Sequence, residues 1–378
     1  MNIAVGVIGI HGFSRLHLTQ FLARQAVGEC RVVAAVAHQR ERDEAYATAL
    51  EAQGVRLVPD LDSLLALDLQ LISVPLGIHL HAPVAERCLR AGRDVYLEKP
   101  IAASVAEVNA LAKAERDSGR ILFIGFQDLY QPGLWELRRR LQADTWGQVK
   151  QITITVGWPR HRSYYARNPW AGKMTLGDAL VRDSIANNAC AHFLNVGLFL
   201  ASGHMTATTA ELGRAYDIES FETCSMRVET ASGIQVVFNA SHLCSKEFGP
   251  RLRIDCEHGT ITTENLERGD PWQLPGGGTI PVPPRHEQPY REALAHLSGK
   301  PATICRISDC RAHTAVIEAA HLGCQIRQIS DTIADDEKIV HPQMDAALAL
   351  AHERGCTLGE TKLIRGLVAG QRITTTGA

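Results

Sequence analysis

The sequence predicts an α/β protein in which a doubly wound parallel sheet is followed by a second α/β domain with an antiparallel sheet. Three observations carry this. Apolar strand-like runs alternate with helical stretches through the first third of the chain. A glycine-bearing turn follows the first run, and after Gly125 the alternation gives way to strands set apart by turn signals. At 378 residues the chain is long for one core, so two domains are expected, 1–125 and 126–378.

Ile3 to Ile8 is a continuous apolar run, the pattern of a parallel strand buried on both faces. It feeds Gly9-Ile10-His11-Gly12-Phe13-Ser14-Arg15-Leu16-His17 and then a helical pattern with Leu16, Phe21 and Leu22 on its apolar side. Strand, glycine turn and helix are the setting that a dinucleotide pyrophosphate requires, because a helix amino end offers free N–H groups and a positive dipole end. Counted as G-x-G-x-x-G from Gly9, the second and third glycine places hold His11 and Ser14, and Gly12 lies one place late. Strands follow at 31–37, 69–74, 95–98 and 121–124, with helices at 41–53, 79–91 and 104–117 between them. Ser104 is the expected N-cap of the last helix, with Glu107 at capping-box spacing.

The strand at 95–98 runs into Glu98-Lys99-Pro100. Proline cannot continue a ladder and restricts the residue before it, which holds Lys99 at the carboxyl end of the strand, where ligands of open α/β sheets gather. The second strand ends Ala37-His38-Gln39-Arg40-Glu41-Arg42, without an acid at the place that would bind the adenine ribose. His38 and Arg40, with Arg42 beside them, therefore favour NADP over NAD, while Glu41 or Asp43 turned inward would keep NAD open.

In the second part, helices are expected at 132–142, 308–325 and 342–354, and strands at 149–156, 225–228, 234–239, 251–256 and 259–263. These strands read as an antiparallel sheet with one face covered. Gly276-Gly277-Gly278 and residues 281–284 read as plain loop.

Two stretches of this part look chemical. In Trp158 to Trp170, Tyr164, Tyr165, Arg167 and Trp170 can stack on sugar faces and hydrogen-bond hydroxyls or anionic groups, unless the stretch is a surface loop or an oligomer contact. In Asp183 to Asn195, a continuous helix would put Asn188 and His192 four apart on one face with Asn195. A satisfied core histidine is the plain alternative.

Composition excludes several classes. With 39 basic and 41 acidic residues and a net charge of -2, the chain lacks the electrostatic footprint of a nucleic-acid or anionic-membrane binder. Neither a signal-like amino terminus nor an apolar stretch of spanning length is present. The 10 cysteines form no Cys-x-x-Cys pair, which suggests no metal site, a reducing compartment and a cytoplasmic protein.

Together, Gly9 through His17, Ser73-Val74-Pro75-Leu76-Gly77-Ile78-His79, Glu98-Lys99-Pro100 and the helix carrying His192 resemble the Gfo/Idh/MocA oxidoreductases, the family of glucose–fructose oxidoreductase and inositol dehydrogenase. The resemblance implies a Rossmann domain, a carboxyl α/β domain with a large, mostly antiparallel open sheet, and homodimers or homotetramers formed through that sheet. It implies NADP or NAD bound by Gly9, His11, Gly12, Phe13, Ser14, His38, Arg40, Val74, Pro75, His79, Glu98, Lys99 and Pro100. It also implies that Lys99 contacts the reacting hydroxyl and the nicotinamide ribose, with His192 as acid/base. The family pattern D-x-x-x-H has Asn188 in place of its aspartate here, and asparagine cannot exchange a proton at ordinary pH.

The expected reaction is hydride transfer between the nicotinamide and a secondary alcohol or ketone of a sugar-like small molecule. Lys99, His192 and Asn188 would be catalytic, with Tyr164, Tyr165, Arg167, Trp170 and Asp183 on the substrate. An NAD-dependent glycoside hydrolase using transient oxidation, or a non-catalytic dinucleotide sensor, are the alternatives.

Overall fold

The computed structural model describes residues 2–283 and 286–374 and divides into two compact units. The first comprises residues 1–130 with 285–308, and the second 131–284 with 309–378.

The first unit holds a six-stranded parallel sheet in the order β3-β2-β1-β4-β5-β6. Its strands are β1 (Ile3–Ile8), β2 (Cys30–Val36), β3 (Arg56–Val58), β4 (Leu71–Val74), β5 (Asp94–Leu97) and β6 (Leu122–Ile124). β1 is flanked by β2 and β4, so the crossovers reverse direction there and open a crevice at the strands' carboxyl ends. The connecting helices are α1 (Phe13–Ala26), α2 (Glu44–Ala52), α3 (Leu61–Leu65), α4 (Ile78–Arg90) and α5 (Val105–Ser118). The capping box of α5 forms as its residues predict: Ser104 accepts the Glu107 N–H while Glu107 reaches the Ser104 N–H. β3 and α3, absent from the sequence reading, are three and five residues long, too short to show a period.

The first unit also takes back a later segment that the sequence reading leaves in the second domain. Helix 288–297 sets Tyr290 edge-on against Phe21 and His17, with ring centroids 5.1 and 5.3 Å apart. Beyond it, the Cys305 carbonyl accepts the Ile124 N–H at 3.1 Å, and Arg306 pairs with Glu115 at 2.7 Å. These contacts span far more sequence than a local pattern can report.

The second unit is built on a ten-stranded mixed sheet. Its principal strands are β7 (Val149–Gly157), β10 (Met205–Arg214), β11 (Thr223–Thr230), β12 (Gln235–Ser241), β13 (Phe248–Cys256) and β14 (Gly259–Thr263). The short pairs β8 (Thr175–Leu176) with β9 (Ala179–Leu180), and β15 (Trp272–Gln273) with β16 (Thr279–Ile280), are hairpins. Gly276-Gly277-Gly278 makes the turn of the second, each glycine at positive φ, and Leu274 donates to the Gly278 carbonyl at 3.1 Å. Of the expected loop at 281–284, Pro284 lies outside the described residues. β7 sits at the centre, parallel to β12 and antiparallel to β13. Helix α6 (Pro132–Gln142) precedes it and the short helix α7 (Arg162–Ala166) follows it.

Both faces of the central strands are covered, not one. Ile152, Ile154 and Val156 of β7 are buried, and Ile154 lies so close to Gly197 of helix α8 (Ala191–Ala201) that an added Cβ would meet it at 2.4 Å. The alternate residues Gln151, Thr153 and Thr155 look solvent-facing in sequence. They lie instead beneath the chain's own carboxyl segment, which includes helix 344–354. Gln151 donates to the Gly355 carbonyl at 2.7 Å and Asn239 to that of Cys356 at 3.0 Å, while Ser225 accepts the Leu358 N–H at 2.8 Å. Polar side chains here satisfy the backbone of a crossing segment, which alternation cannot reveal. Association of copies through this face would have to displace that segment.

Glu211 is the clearest anchor: its carboxylate accepts the Thr357 hydroxyl at 2.6 Å and the Gly359 N–H at 2.8 Å, and it is 4% exposed. Glu211→Ala leaves two buried donors unpaired and is expected to cost about 2–4 kcal/mol in urea unfolding, with faster proteolysis within 355–367. A variant as stable and as protease-resistant as the parent would refute this anchoring.

Candidate active site

In the first unit the predicted residues gather at the carboxyl ends of β1, β4 and β5. Gly9 has φ of 98° and a Cβ there would lie 2.5 Å from Ser14 Oγ, so the turn requires glycine. Ser14, in a glycine's place, is buried and donates its hydroxyl to the Ile8 carbonyl at 3.1 Å. Gly12, at φ of 55°, has open space where a Cβ would project, and it precedes an α1 amino end with neither a side-chain cap nor an acid in its first turn. Uncapped N–H groups beside an open glycine fit a dinucleotide pyrophosphate. Phe13 is exposed and touches His17 edge-on, and His11 Nε2 lies 2.8 Å from the Gln39 carbonyl.

Glu98 and Lys99 rest on a buried relay that the sequence reading missed. His17 Nε2 donates to Glu98 Oε1 at 3.2 Å, and His17 Nδ1 lies 2.7 Å from Ser73 Oγ. Glu98 Oε2 accepts the backbone N–H of Lys99 at 3.1 Å. Burial pushes the Glu98 carboxyl up, but hydrogen bonding and charge from His17 and Lys99 outweigh it and hold the carboxyl below its ordinary value. The Lys99–Pro100 peptide is cis.

A second missed histidine, His81, lies with Nδ1 2.7 Å from the Pro100 carbonyl and Nε2 3.0 Å from that of Leu76. It thereby ties the turn after β4 to the turn after β5. His79, the expected one, is half-buried and its Nδ1 has no hydrogen-bond partner. The one signal for His81 was its spacing in His79-Leu80-His81, two residues apart at the start of α4.

The pair expected to favour NADP separates. His38 is exposed, whereas the Arg40 guanidinium is held by Glu44 and Glu51 at 2.9 and 2.8 Å, and these raise its already high pKa. Asp43 pairs with Arg15, which also stacks over Tyr46.

In the second unit the Asn188–His192 stretch is not one continuous α-helix. Residues Ile185–Ala189 form a π turn, closed by Cys190 N–H to the Ile185 carbonyl at 2.7 Å, and α8 begins only at Ala191. The cause is competition from side chains: Ser184 caps the Asn187 N–H, and Asn188 turns back to donate to Asp183 Oδ1 at 2.8 Å. His192 is half-buried in the first turn of α8, while Asn195 is wholly buried with neither amide atom hydrogen-bonded. Asp183 also accepts the Gly172 N–H at 2.7 Å and lies 3.9 Å from Arg167.

The aromatic–arginine loop folds over itself: Arg167 stacks 3.8 Å over Tyr164 and 5.3 Å from Trp170. Tyr165 packs on Tyr216 at 5.0 Å, its hydroxyl buried without a partner. Among the described residues no cluster of His, Cys, Asp or Glu fits a metal, and no helix is long and apolar enough to cross a membrane.

A doubly wound sheet with a glycine turn at its switch point defines a dinucleotide-binding protein. The model of the oxidoreductase family with an NAD-binding Rossmann fold matches residues 3–126, and the model of the GFO/IDH/MocA C-terminal domain matches residues 134–262. The chain belongs to the Gfo/Idh/MocA oxidoreductases. Inositol 2-dehydrogenase of Rhizobium meliloti is 26% identical over 305 residues, 78% of this chain and 86% of that one. A dTDP-3,4-didehydro-2,6-dideoxy-alpha-D-glucose 3-reductase of Streptomyces violaceoruber is 31% identical over 153 residues, 40% of this chain and 44% of that one. Among solved structures, the WlbA dehydrogenase of Bordetella pertussis, in complex with NADH and UDP-GlcNAcA, superposes with a TM-score of 0.72 at 21% identity, over 85% of this chain and 96% of its own. The 3-ketoreductase KijD10 of Actinomadura kijaniata, in complex with NADP, gives 0.69 at 18% identity, over 87% and 100%. At these identities the structures share the fold.

Two buried groups beside the loop titrate far from their ordinary values. Glu222 is fully buried, with the Ala215 N–H on one oxygen at 2.8 Å and nothing on the other, and burial pushes its carboxyl up to about 8. His242, its Nδ1 2.6 Å from the Trp158 carbonyl, is pushed down to about 3 by burial and by Arg160. Glu222 therefore contributes stability below its unfolded value of 4.5 that is lost as pH rises toward about 8. His242 contributes stability above 6.5 that is lost as pH falls toward about 3. Glu222→Gln should flatten the fall in unfolding free energy between about pH 5 and 8. Urea titrations at several pH values that run parallel for parent and variant would exclude a protonated Glu222.

Proposed function

We propose that this protein is a dehydrogenase or ketoreductase that moves a hydride between a nicotinamide dinucleotide and a secondary alcohol or ketone of a sugar, cyclitol or sugar derivative. The observation that carries the reading is the strand-end cluster of the first unit: an uncapped α1 behind Gly9 and Gly12, with Lys99 following β5 in the same parallel sheet. Gly9, His11, Gly12, Phe13 and Ser14 would hold the pyrophosphate, with Val74, Pro75, His79 and Pro100 toward the nicotinamide end. Bound there, the cofactor supplies the hydride acceptor or donor. The names of the relatives, an inositol dehydrogenase and a sugar 3-reductase, support a polyol or sugar ring.

The proton work falls to this chain's side chains. A hydroxyl losing hydride must also lose its proton, and a histidine is the side chain whose ordinary range suits that exchange, so His192 is the general acid/base. The Lys99 ammonium stabilises negative charge developing on the same oxygen. Asn188, engaged by Asp183, orients the substrate and exchanges no proton. Tyr164, Tyr165, Arg167 and Trp170 supply the stacking and polar surface for the ring.

For the cofactor, we infer NAD rather than the NADP expected from sequence. Arg40 already serves Glu44 and Glu51, which leaves exposed His38 and Arg42 as the basic groups available to a 2′-phosphate. Titration of cofactor-free protein should give NADH binding at least as tight as NADPH, and NADPH binding tenfold tighter would restore the sequence reading. Tightly copurifying NAD with glycoside cleavage and no net NADH would point to the hydrolase, and binding without turnover to the sensor.

Lys99→Met and His192→Ala should each lower kcat by about 10²–10⁴-fold while thermal unfolding stays near that of the parent. Parental turnover in both would overturn these roles.

A further inference from the structure

The shape of the aromatic–arginine loop does not depend on the Arg160 guanidinium. That shape is set by other bonds. Arg162 donates its backbone N–H to the Glu337 carbonyl at 2.6 Å, and the Tyr216 hydroxyl donates to the Arg160 carbonyl at 2.5 Å while accepting the Ile339 N–H at 2.9 Å. The Arg160 head itself makes one hydrogen bond, to the adjacent Pro159 carbonyl at 3.2 Å, and stacks 5.1 Å from Trp158 and 5.2 Å from Tyr164. No carboxylate of the described residues lies within 4.0 Å of it.

Arg167 lies over Tyr164 as well and donates one N–H to the Tyr164 carbonyl, and its nearest carboxylate oxygen is that of Asp183 at 3.9 Å, an oxygen that already accepts the Gly172 N–H. Burial keeps His242 neutral, with the charge of Arg160 and, to a lesser degree, of Arg167 acting in the same direction, and the nearby Glu222, also through burial, holds its proton toward neutral pH. One tyrosine ring thus carries two cations, and the carboxylate nearest to Arg167, that of Asp183, is already occupied. A stacked guanidinium keeps its N–H edge free and planar, the geometry that grips a carboxylate or phosphoryl group with two bonds.

We propose that Arg160 and Arg167 form a receptor for an anionic substituent, a carboxylate or a phosphoryl group, on the ring of the substrate, an inference that rests on the dehydrogenase reading above. It narrows the substrate from any sugar or cyclitol to an acidic one. From Arg167 the contacts run through Asp183 to Asn188 and on to the turn that starts α8, so the receptor is continuous with the proposed acid/base helix.

The test is calorimetry on purified protein with D-glucuronate, D-galacturonate and myo-inositol 1-phosphate, each against its neutral counterpart glucose, galactose or myo-inositol. At least one acid should bind about tenfold tighter than its counterpart, the uronates and the phosphate separating the two anion classes. Arg160→Gln should remove most of that preference with the neutral compounds unaffected, and Arg160→Gln with Arg167→Gln should remove all of it. If no acid exceeds its counterpart, or the preference survives in the double variant, the receptor is overturned. Should the double variant not fold, the wild-type comparison and Arg160→Gln decide, because the head of Arg160 carries no structural bond beyond Pro159. Failure of every compound to be oxidised or reduced would overturn the dehydrogenase reading instead, and the calorimetric preference is read independently of it.

Discussion

The first unit depends on one buried carboxylate. Glu98 sits where β1, β4 and β5 end, and each of its oxygens is used, one by His17 and the other by the Lys99 N–H. A buried carboxylate left without partners is among the costliest groups in a protein interior, so its donors are constrained as tightly as it is. His17 must come from α1, and Ser73 from β4 must meet the far side of its ring. Gly125 must lack a side chain, since a Cβ there would lie 2.9 Å from Glu98 Oε1. The glycine turn, the β4 end and the lysine are thus fixed in one geometry by electrostatics rather than by apolar packing.

The second unit solves a different problem. Its large sheet offers a polar, alternating face, and the chain covers that face with its own carboxyl segment through side-chain-to-backbone hydrogen bonds from Gln151, Glu211, Ser225 and Asn239. An apolar cluster of Leu243, Ile339, Met344, Leu348, Leu358 and Leu367 completes the seal. The same logic shapes the loop at 157–170, where a backbone bond to Glu337 and the Tyr216 hydroxyl, itself held by the Ile339 N–H, hold the fold. With the shape carried by those bonds, the Arg160 head bonds only the adjacent Pro159 carbonyl, and burial keeps the neighbouring His242 and Glu222 uncharged near neutral pH.

The π turn at Ile185–Ala189 is where local and tertiary demands meet. Ser184, Asn187 and Asn188 all prefer side-chain bonds to continued helix: Ser184 accepts the Asn187 N–H, the Asn187 amide donates to the Arg182 carbonyl and that of Asn188 to Asp183. The turn therefore ends at Cys190, and His192 enters on a fresh helix whose buried face is Phe193, Leu194 and Val196.

What the sequence determined by itself is what short-range physics can specify. The alternating apolar runs set the parallel strands, Ser104 and Glu107 set the start of α5, Pro132 set that of α6, and the proline after Lys99 marked a strand end. What the tertiary structure decided were the partners: His17 with Glu98 across 81 residues, Tyr290 with Phe21, the carboxyl segment over the sheet, and Arg40 with Glu51 rather than a free guanidinium. The continuous helix expected through Asn188 failed for the same reason. Helical spacing describes one element, whereas a polar side chain chooses among every acceptor the fold brings within reach, and that choice is made only when distant segments meet.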